Sequence, residues 1–224
     1  MEGLPERLQA VAERITSAAR IAGRDPASVR LVAVSKTFPA AAVRIAFAAG
    51  QRDFGENYVQ EALDKMALLA ELPIVWHFIG PIQSNKTRSI AEHFHWVHSI
   101  DRLKIAERLS AQRPVDQPPL EVCLQVNVSG EATKSGADPA AIAALAGAVA
   151  KLPNLRLRGL MTIPEPTTDV ALQRARFQRV RELLATAGLP LDTLSMGMSD
   201  DLESAIDEGA TIVRVGRAIF GTRG

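Results

Sequence analysis

The alternation of short apolar runs with longer amphipathic segments constrains the fold of this chain more than any other feature. Eight apolar runs are candidate strands, at residues 31–35, 53–57, 74–80, 95–100, 120–127, 155–163, 192–198 and 211–216. Between them apolar residues recur at helical spacing, as Phe177, Val180 and Leu184 do. Strands that alternate with helices form parallel sheets, because each helix carries the chain back to the same edge.

Eight parallel strands can form an open, doubly wound sheet or a closed barrel. Open sheets that bind nucleotides carry a glycine-rich turn after the first strand, whereas residues 35–39 here read "SKTFP". We therefore predict an α/β fold in which residues 1–224 form a single-domain (β/α)8 TIM barrel. An additional N-terminal helix, with Leu4, Leu8 and Val11 on one stripe, precedes the first strand and is expected to close the outer ring.

The bulk composition excludes several classes of partner. The formal net charge is +1, which gives no basic footprint for nucleic acid or for an anionic membrane surface. No stretch approaches the roughly 18 apolar residues of a spanning helix. The one cysteine, Cys123, lies in an apolar run and suits a reducing compartment, so we predict a cytoplasmic location. With no evident apolar stripe for a dimer, we also expect a monomer.

Lys36 ends the first strand, in "LVAVSK", where a barrel would place it at the mouth. Chemistry in such barrels gathers at the C-terminal ends of the strands, and phosphate is often bound beyond strands seven and eight. A lysine at a strand end is more often a solvated charge than a functional group. Lys36 alone therefore predicts no site.

Two features near the end of the chain favour an anion at that mouth. Gly197 and Ser199 stand where strand seven turns into a helix, in a position to form a phosphate cup, although Ser199 could simply cap the helix. Arg214 lies within a strand that is buried on both faces, where a guanidinium needs either a ligand or an internal salt bridge. Gly216 follows it and permits a close approach of phosphate.

Polar residues also end strands two and three. They are Glu56, Asn57, His77, Gln83, Ser84 and Asn85, each of which could be an ordinary cap or turn residue. Taken together with Lys36, the cup and Arg214, they suit a phosphorylated aldehyde held by lysine as an imine. Pyridoxal 5'-phosphate (PLP) meets that description.

The sequence resembles the pyridoxal phosphate homeostasis protein family, whose barrel is similar to the N-terminal domain of alanine racemase. The resemblance covers nearly the whole chain through ordered motifs: "VAVSK", "FGENYVQE", "WHFIGPIQSNK", "VHSID", "QVNVSGEATKSG", "LRGLMTI", "LSMGMSDDLESAI" and "VRVGRAIFGTR". It implies that Lys36 forms an internal aldimine with PLP and that Arg214 faces the pyridine nitrogen. The segments around Ser199 and Gly216 would hold the phosphate.

Further positions follow from the same resemblance. Asn57, His77 and Met196 are expected to line the pocket. Arg217 stands where many relatives carry a small hydroxyl residue, so we expect its backbone amide, and not its side chain, to contact the phosphate. Lys134 belongs to a loop on the same rim, and we leave it out of the site because a solvated loop lysine is the more common case.

The resemblance implies a carrier of PLP, and not an enzyme. An arginine beside the ring nitrogen leaves that nitrogen largely unprotonated, which makes the cofactor a poor electron sink. Alanine racemase takes its second base, a tyrosine, from an additional domain across a dimer, whereas the only tyrosine here is Tyr58. Delivery of PLP to apo-enzymes is the accompanying hypothesis.

Three alternatives remain open. A weak PLP-dependent amino-acid racemase or lyase would need an acid or base, for which His77 is the nearest nominee. A Schiff-base aldolase would also use a lysine and a phosphate cup, but its lysine more often lies on a later strand. A metal-dependent hydrolase would use His93, His95 and His98, which cannot share one strand face because odd and even positions alternate.

Overall fold

The computed structural model describes residues 3–129 and 135–221. The strands of this part of the chain are β1 Arg30–Val34, β2 Asp53–Glu56, β3 Val75–Phe78, β4 Trp96–Ile100, β5 Leu120–Gln125, β6 Leu155–Met161, β7 Thr193–Ser195 and β8 Ile212–Val215. The helices are α1 Leu4–Ile21, α2 Ala40–Ala48, α3 Val59–Leu68, α4 Thr87–His93, α5 Leu103–Gln112, α6 Ile142–Val149, α7 Val170–Thr186, α8 Leu202–Asp207 and α9 Arg217–Phe220. Within the described ranges, no helix is both long and apolar enough to cross a membrane.

The strands form a closed barrel in which each pairs with its neighbours in chain order. All the pairings are parallel, and β1 closes the ring by pairing with β8, so that Leu31 lies opposite Val213. The predicted (β/α)8 barrel is confirmed, and the open sheet is excluded. The C-terminal ends of all the strands therefore meet at one mouth.

The N-terminal helix α1 completes the outer ring, as predicted. Its apolar stripe, which includes Leu4, Leu8 and Val11, is buried, and the helix packs against α2, α8 and α9. On its outer face Arg14 donates hydrogen bonds to Glu203 in α8 (2.8 Å) and to the carbonyl oxygen of Ser199 (3.1 Å). The first helix thus braces the loop that follows β7.

Apolar packing occurs in two layers. The larger cluster fills the space between strands and helices, while a small one inside the barrel contains Val32, Trp96, Cys123, Met161 and Ile212. Because Cys123 is completely buried there, the pKa of its thiol is raised to about 12. A thiol in this state packs as a small apolar group.

The seventh strand is shorter than its apolar run predicts. Residues 192–198 were expected to be extended, but β7 ends at Ser195. Gly197 adopts a positive φ of 95°, and a Cβ atom there would lie 2.6 Å from the Cβ of Ala205. This glycine lets the chain turn sharply out of the strand and into the loop before α8.

Candidate functional site at the barrel mouth

Lys36 lies just beyond the C-terminal end of β1, at the end of the barrel where the mouth is. Val32 belongs to the interior cluster, and Ala33 to the layer outside the strands. Ser35 contacts Glu56 and Lys65 on the outer side of the sheet, and Lys36 follows it directly in the chain. Lys36 is half-buried, and its role in a site stays a prediction.

A buried ionic cluster of Glu56, Glu61 and Lys65 holds the backbone on both sides of Lys36. Lys65 Nζ donates to Ser35 O (2.7 Å), to Glu56 Oε1 (2.7 Å) and to Glu61 Oε1 (2.6 Å). Ser35 Oγ also donates to Glu56 Oε1 (2.6 Å).

On the other side of Lys36, the amide of Thr37 donates to Glu61 Oε1 at 2.5 Å. Thr37 adopts a φ of 69°, which is unusual for a β-branched residue and is stabilised by this bond. Burial raises the pKa of Glu56 even though Lys65 opposes the shift. Glu56, which was expected at the mouth, therefore acts from outside the sheet by fixing the position of β1.

Arg214 is buried in β8, level with Val32 of β1. Its Nη1 donates to Ser195 Oγ (2.7 Å) and its Nη2 to Thr162 O (2.8 Å). Burial lowers the pKa of Arg214 to about 10, and the negative charge of Asp201 opposes that shift, so the guanidinium is still a cation at neutral pH. Among the described residues, no carboxylate lies within 4 Å of it, and the internal salt bridge considered from the sequence is not formed there.

The loops after β7 and β8 meet at the position of the predicted phosphate cup. The amide of Ala218 lies 3.4 Å from Ser199 Oγ, which joins the two loops beside Gly216. Arg217 is exposed and forms an ion pair with Asp200 at the rim of the cup. Because that side chain is engaged by Asp200, the backbone is the part of Arg217 that remains near the cup.

Asp201, the second acidic residue of this loop, faces inward. Its Oδ1 accepts a hydrogen bond from the amide of Met198 (2.6 Å), and burial raises the pKa of the carboxyl. The two aspartates, which would repel an anion if they were exposed to it, are thus engaged by Arg217 and by the backbone.

Asn57 and Met196, both predicted to line the pocket, lie in different surroundings. Asn57 Oδ1 is buried at the end of β2 and has no hydrogen-bond partner among the described residues. Gly80 packs closely on Asn57, since a Cβ atom at position 80 would lie 2.5 Å from Asn57 O. Met196 is fully buried in the same apolar cluster as Leu194 and Leu202.

His77 is completely buried within the barrel, and both of its ring nitrogens are engaged. Nε2 lies 2.9 Å from Asp53 Oδ1, and Nδ1 lies 2.9 Å from His98 Nε2. The structure thus brings Asp53, His98 and Ser195 into contact with predicted site residues. The sequence indicated His98 only as a candidate metal ligand and did not indicate Asp53 or Ser195, because these contacts depend on the register between strands and on how β4 and β7 face each other across the barrel.

The three histidines of "HFHWVHS" occupy three separate environments. His93 ends α4 and bonds to the carbonyl of Ser89 (2.9 Å). His95 Nδ1 accepts from the amide of Trp76 (3.0 Å), while His98 lies inside the barrel. Lys134, the loop lysine on the rim, falls outside the described residues.

A cleft of about 840 Å³ adjoins the cup. It is lined by Pro166, Thr167, Thr168, Val170 and Gln173 on one side and by Met198, Asp200, Asp201, Glu203 and Ser204 on the other. The residues on either side of Ser199, which are Met198 and Asp200, thus line this cleft.

Residues 7–224 match the family of the alanine racemase N-terminal domain. The chain is 70% identical to a protein of Pseudomonas aeruginosa named pyridoxal phosphate homeostasis protein, over 100% of this chain and 97% of that protein. A protein of the same name from Escherichia coli K12 is 52% identical, over 100% of this chain and 98% of that protein.

Solved structures agree with these sequence matches. PipY of Synechococcus elongatus, whose structure was determined with PLP bound, superposes with a TM-score of 0.83 at 43% identity, covering 94% of this chain and all of that one. Alanine racemase of Corynebacterium glutamicum superposes with a TM-score of 0.68 at 19% identity, covering 96% of this chain and 61% of that one. The second likeness shows a shared fold.

Proposed function

Because the chain belongs to the alanine racemase N-terminal domain family and to the pyridoxal phosphate homeostasis proteins within it, we propose that it binds PLP at the barrel mouth as a carrier of this cofactor. The observation that supports the proposal most directly is that the guanidinium of Arg214 is buried and has no carboxylate partner in the described structure. A buried guanidinium without a carboxylate partner is costly unless a ligand compensates its charge. PLP is anionic and has a ring nitrogen that can accept a hydrogen bond from arginine.

The other residues of the mouth fit the remaining groups of PLP. Lys36 supplies the amine that forms an aldimine with the aldehyde. The backbone around Ser199, Gly216 and Arg217 supplies amides for the phosphate. Asn57, whose Oδ1 is buried without a partner in the described structure and which packs on Gly80, would support the pocket wall at the end of β2.

His77 and Met196 have indirect roles in this proposal. Both side chains are completely buried, His77 between Asp53 and His98, and Met196 in the apolar cluster outside β7. We propose that they support the pocket through the residues that they contact.

The site favours storage of PLP over catalysis. A guanidinium at the ring nitrogen does not protonate it, so a carbanion beside the imine gains little stabilisation from the ring. Tyr58, the only tyrosine, is 52% exposed at the start of α3. His77, the base nominated for a racemase or lyase, has both ring nitrogens in hydrogen bonds.

Delivery to apo-enzymes follows from the chemistry of an imine. An amine of a recipient enzyme can displace Lys36 by exchange at the same carbon, without an oxidant or a further reactant. The cup holds the phosphate while this exchange takes place. We propose that the protein keeps a reactive aldehyde sequestered until a recipient protein takes it.

The visible absorbance spectrum tests binding. PLP added to the purified protein should give an aldimine band that borohydride converts to a stable, reduced adduct. The band should be absent in Lys36→Ala and unchanged in Lys104→Ala, which alters an exposed lysine of α5. A flat spectrum, or the same band in Lys36→Ala, would remove the central assignment.

Delivery needs its own experiment. The loaded protein is mixed with an apo-enzyme that requires PLP, in the presence of an enzyme that destroys free PLP. We expect activity to return faster from the loaded protein than from an equal amount of free PLP. Equal rates, or a rate limited by spontaneous release of PLP, would show that the protein stores the cofactor without passing it on directly.

A further inference from the structure

A chain of hydrogen bonds crosses the barrel interior from Arg214 towards its N-terminal opening. Arg214 Nη1 is 2.7 Å from Ser195 Oγ, which is 2.7 Å from His98 Nδ1. His98 Nε2 is 2.9 Å from His77 Nδ1, and His77 Nε2 is 2.9 Å from Asp53 Oδ1. Asp53 is the first residue of β2, so the chain ends at the side opposite the mouth.

Burial favours the neutral form of both histidines in this chain of hydrogen bonds. Burial lowers the pKa of His77 and lowers that of His98 well below the ordinary value. The ring of His77 also stacks on Trp96, with centroids 5.7 Å apart and planes at 13°. Each neutral imidazole has one donor nitrogen and one acceptor nitrogen.

The Asp53 carboxylate at one end and the Arg214 guanidinium at the other then determine which atom donates and which accepts in every hydrogen bond between them. Asp53 as a carboxylate can only accept, so His77 Nε2 carries a proton and His77 Nδ1 is an acceptor. His98 Nε2 must therefore donate to His77, which leaves His98 Nδ1 to accept from the Ser195 hydroxyl. Ser195 Oγ is then free to accept from Arg214, which can only donate.

We propose that Asp53 is a positioning residue for Arg214, acting through His77, His98 and Ser195 to hold the guanidinium in one orientation at the mouth. The inference rests on the proposed function, because Arg214 is the group that we place at the pyridine nitrogen of PLP. A residue at the far opening of the barrel would thereby influence the electronic state of the bound cofactor.

The role of Asp53 becomes clear if the donor and acceptor of every hydrogen bond between Asp53 and Ser195 are exchanged. With the opposite tautomers, His98 Nδ1 and Arg214 would both donate to Ser195 Oγ, and the Ser195 proton would need another buried acceptor. An unsatisfied buried donor is destabilising. The Asp53 carboxylate excludes that arrangement, whereas an asparagine can present either an acceptor or a donor to His77.

Glu121 provides a matched control for Asp53. The two carboxylates lie near the same end of the barrel, with side chains 18% exposed for Asp53 and 17% for Glu121. Asp53 pairs with Arg30 and Glu121 with Arg158, and each of these guanidinium groups lies over the Trp96 ring. Glu121→Gln therefore removes a similar charge without altering the chain from Arg214 to Asp53.

The histidine tautomers can be read in the cofactor-free protein by ¹⁵N NMR. In the wild type at pH 7.5 we expect both His77 and His98 to be neutral and protonated at Nε2. In Asp53→Asn we expect a mixture of tautomers, and in Glu121→Gln no change. A wild-type His77 or His98 that is charged, or protonated at Nδ1, would overturn the assignment.

The second readout is the absorbance of the PLP-loaded protein. Asp53→Asn should shift the visible band and weaken PLP binding by about tenfold, the effect of one altered hydrogen bond. Glu121→Gln should match the wild type. Equal spectra and affinities for Asp53→Asn and the wild type, or equal shifts in the two variants, would overturn the positioning role.

Ser195→Ala cuts the chain of hydrogen bonds at its other end and should by itself shift the visible band, a result that does not require Asp53→Asn to fold. Where Asp53→Asn does fold, the two changes can be combined. Because the chain is then already broken, adding Asp53→Asn to Ser195→Ala should shift the band no further. Additive shifts would show that the two residues act separately and would overturn the inference. The absence of any PLP band in the wild type would instead overturn the proposed function, and the role of Asp53 towards PLP with it.

Discussion

At the scale of single residues, two buried cations have their charges compensated in different ways. Lys65 is surrounded by Glu56, Glu61 and the carbonyl of Ser35, so its charge is neutralised within the protein. Arg214 has only the Ser195 hydroxyl and the Thr162 carbonyl as hydrogen-bond acceptors in the described structure. The first therefore supports the fold, and the second is available to a ligand.

Replacing Lys65 should destabilise the protein strongly. Lys65→Met leaves the fully buried Glu56 without its cation, and breaking such a pair costs about 3–5 kcal/mol. Urea denaturation would measure the change in the free energy of unfolding. The double variant Lys65→Met/Glu56→Gln, which contains no unpaired charge at these two positions, should recover at least half of the loss. No recovery would mean that the charge of Glu56 is not the cause.

Replacing Arg214 should weaken cofactor binding. Arg214→Met removes the only buried guanidinium that we place against PLP, and we expect the affinity to fall at least tenfold, as befits the loss of a charged hydrogen bond. Arg156→Met, which removes an exposed arginine paired with Glu121, is the control and should bind normally. Titration followed by absorbance would compare the two. Unchanged affinity in Arg214→Met would contradict its assigned role.

Sequence reasoning reached some of these residues and missed others for a physical reason. A lysine after an apolar run and an arginine inside one are visible in the sequence, and both occur where a barrel brings strands one and eight together. The hydrogen bonds beyond Arg214 are not visible, because Ser195 of β7, which accepts from Arg214, meets His98 of β4 across the barrel through its tilt and register. The cluster of Glu56 and Lys65 likewise depends on how α3 packs on β2.

At the scale of elements, the eight strands were predictable, whereas their ends were not. Apolar runs indicate where a strand is buried, but hydrogen bonding determines where it stops. The seventh run continues to residue 198, yet Gly197 turns the chain after Ser195. After that turn the chain approaches α9, where Ser199 Oγ lies 3.4 Å from the amide of Ala218.

A side chain at Gly159 should destabilise the protein, because β6 and β7 pack closely at this position. A Cβ atom there would lie 1.8 Å from Thr193 O, which is backbone and cannot move aside. We expect Gly159→Ala to lower the free energy of unfolding by at least about 2 kcal/mol. Gly147→Ala, in α6 with nothing within 4 Å of its Cβ, should instead stabilise by about 0.5–1 kcal/mol. Urea denaturation distinguishes them, and equal effects would contradict the packing.

At the scale of the whole molecule, buried histidines make stability depend on pH. Burial lowers the pKa of His77 and His98, which are both completely buried, so the folded state binds fewer protons than the unfolded state. Stability is thus fully present above the unfolded pKa of about 6.5 and is lost as the pH falls below it.

This loss can be measured by urea denaturation between pH 7.5 and 5.5. We expect the free energy of unfolding to fall, with a limiting slope of about 1.4 kcal/mol per pH unit for each histidine. His98→Gln should reduce the slope, whereas replacement of the exposed His93 should leave it unchanged. A profile that is flat in the wild type would contradict the neutral state of the buried imidazoles.

The oligomeric state remains a prediction. The large apolar side chains that are exposed in the described structure include Ile21, Tyr58, Val115 and Val170, which belong to different helices and loops. Such scattered residues are normal for a monomer. Light scattering should therefore give the mass of one chain, and a mass of two chains would contradict the expectation.

Closure of the barrel between β1 and β8 has a consequence during synthesis. Arg30 pairs with Ile212, which lies about 180 residues further along the chain. The contacts that offset the entropic cost of closing this loop can form only after β8 has been synthesised. Lys36 follows β1 and Arg214 lies in β8, so the two residues cannot act together on a nascent chain that lacks β8. Cofactor colour would then report completion of the ring, which makes the visible band a natural probe of co-translational folding.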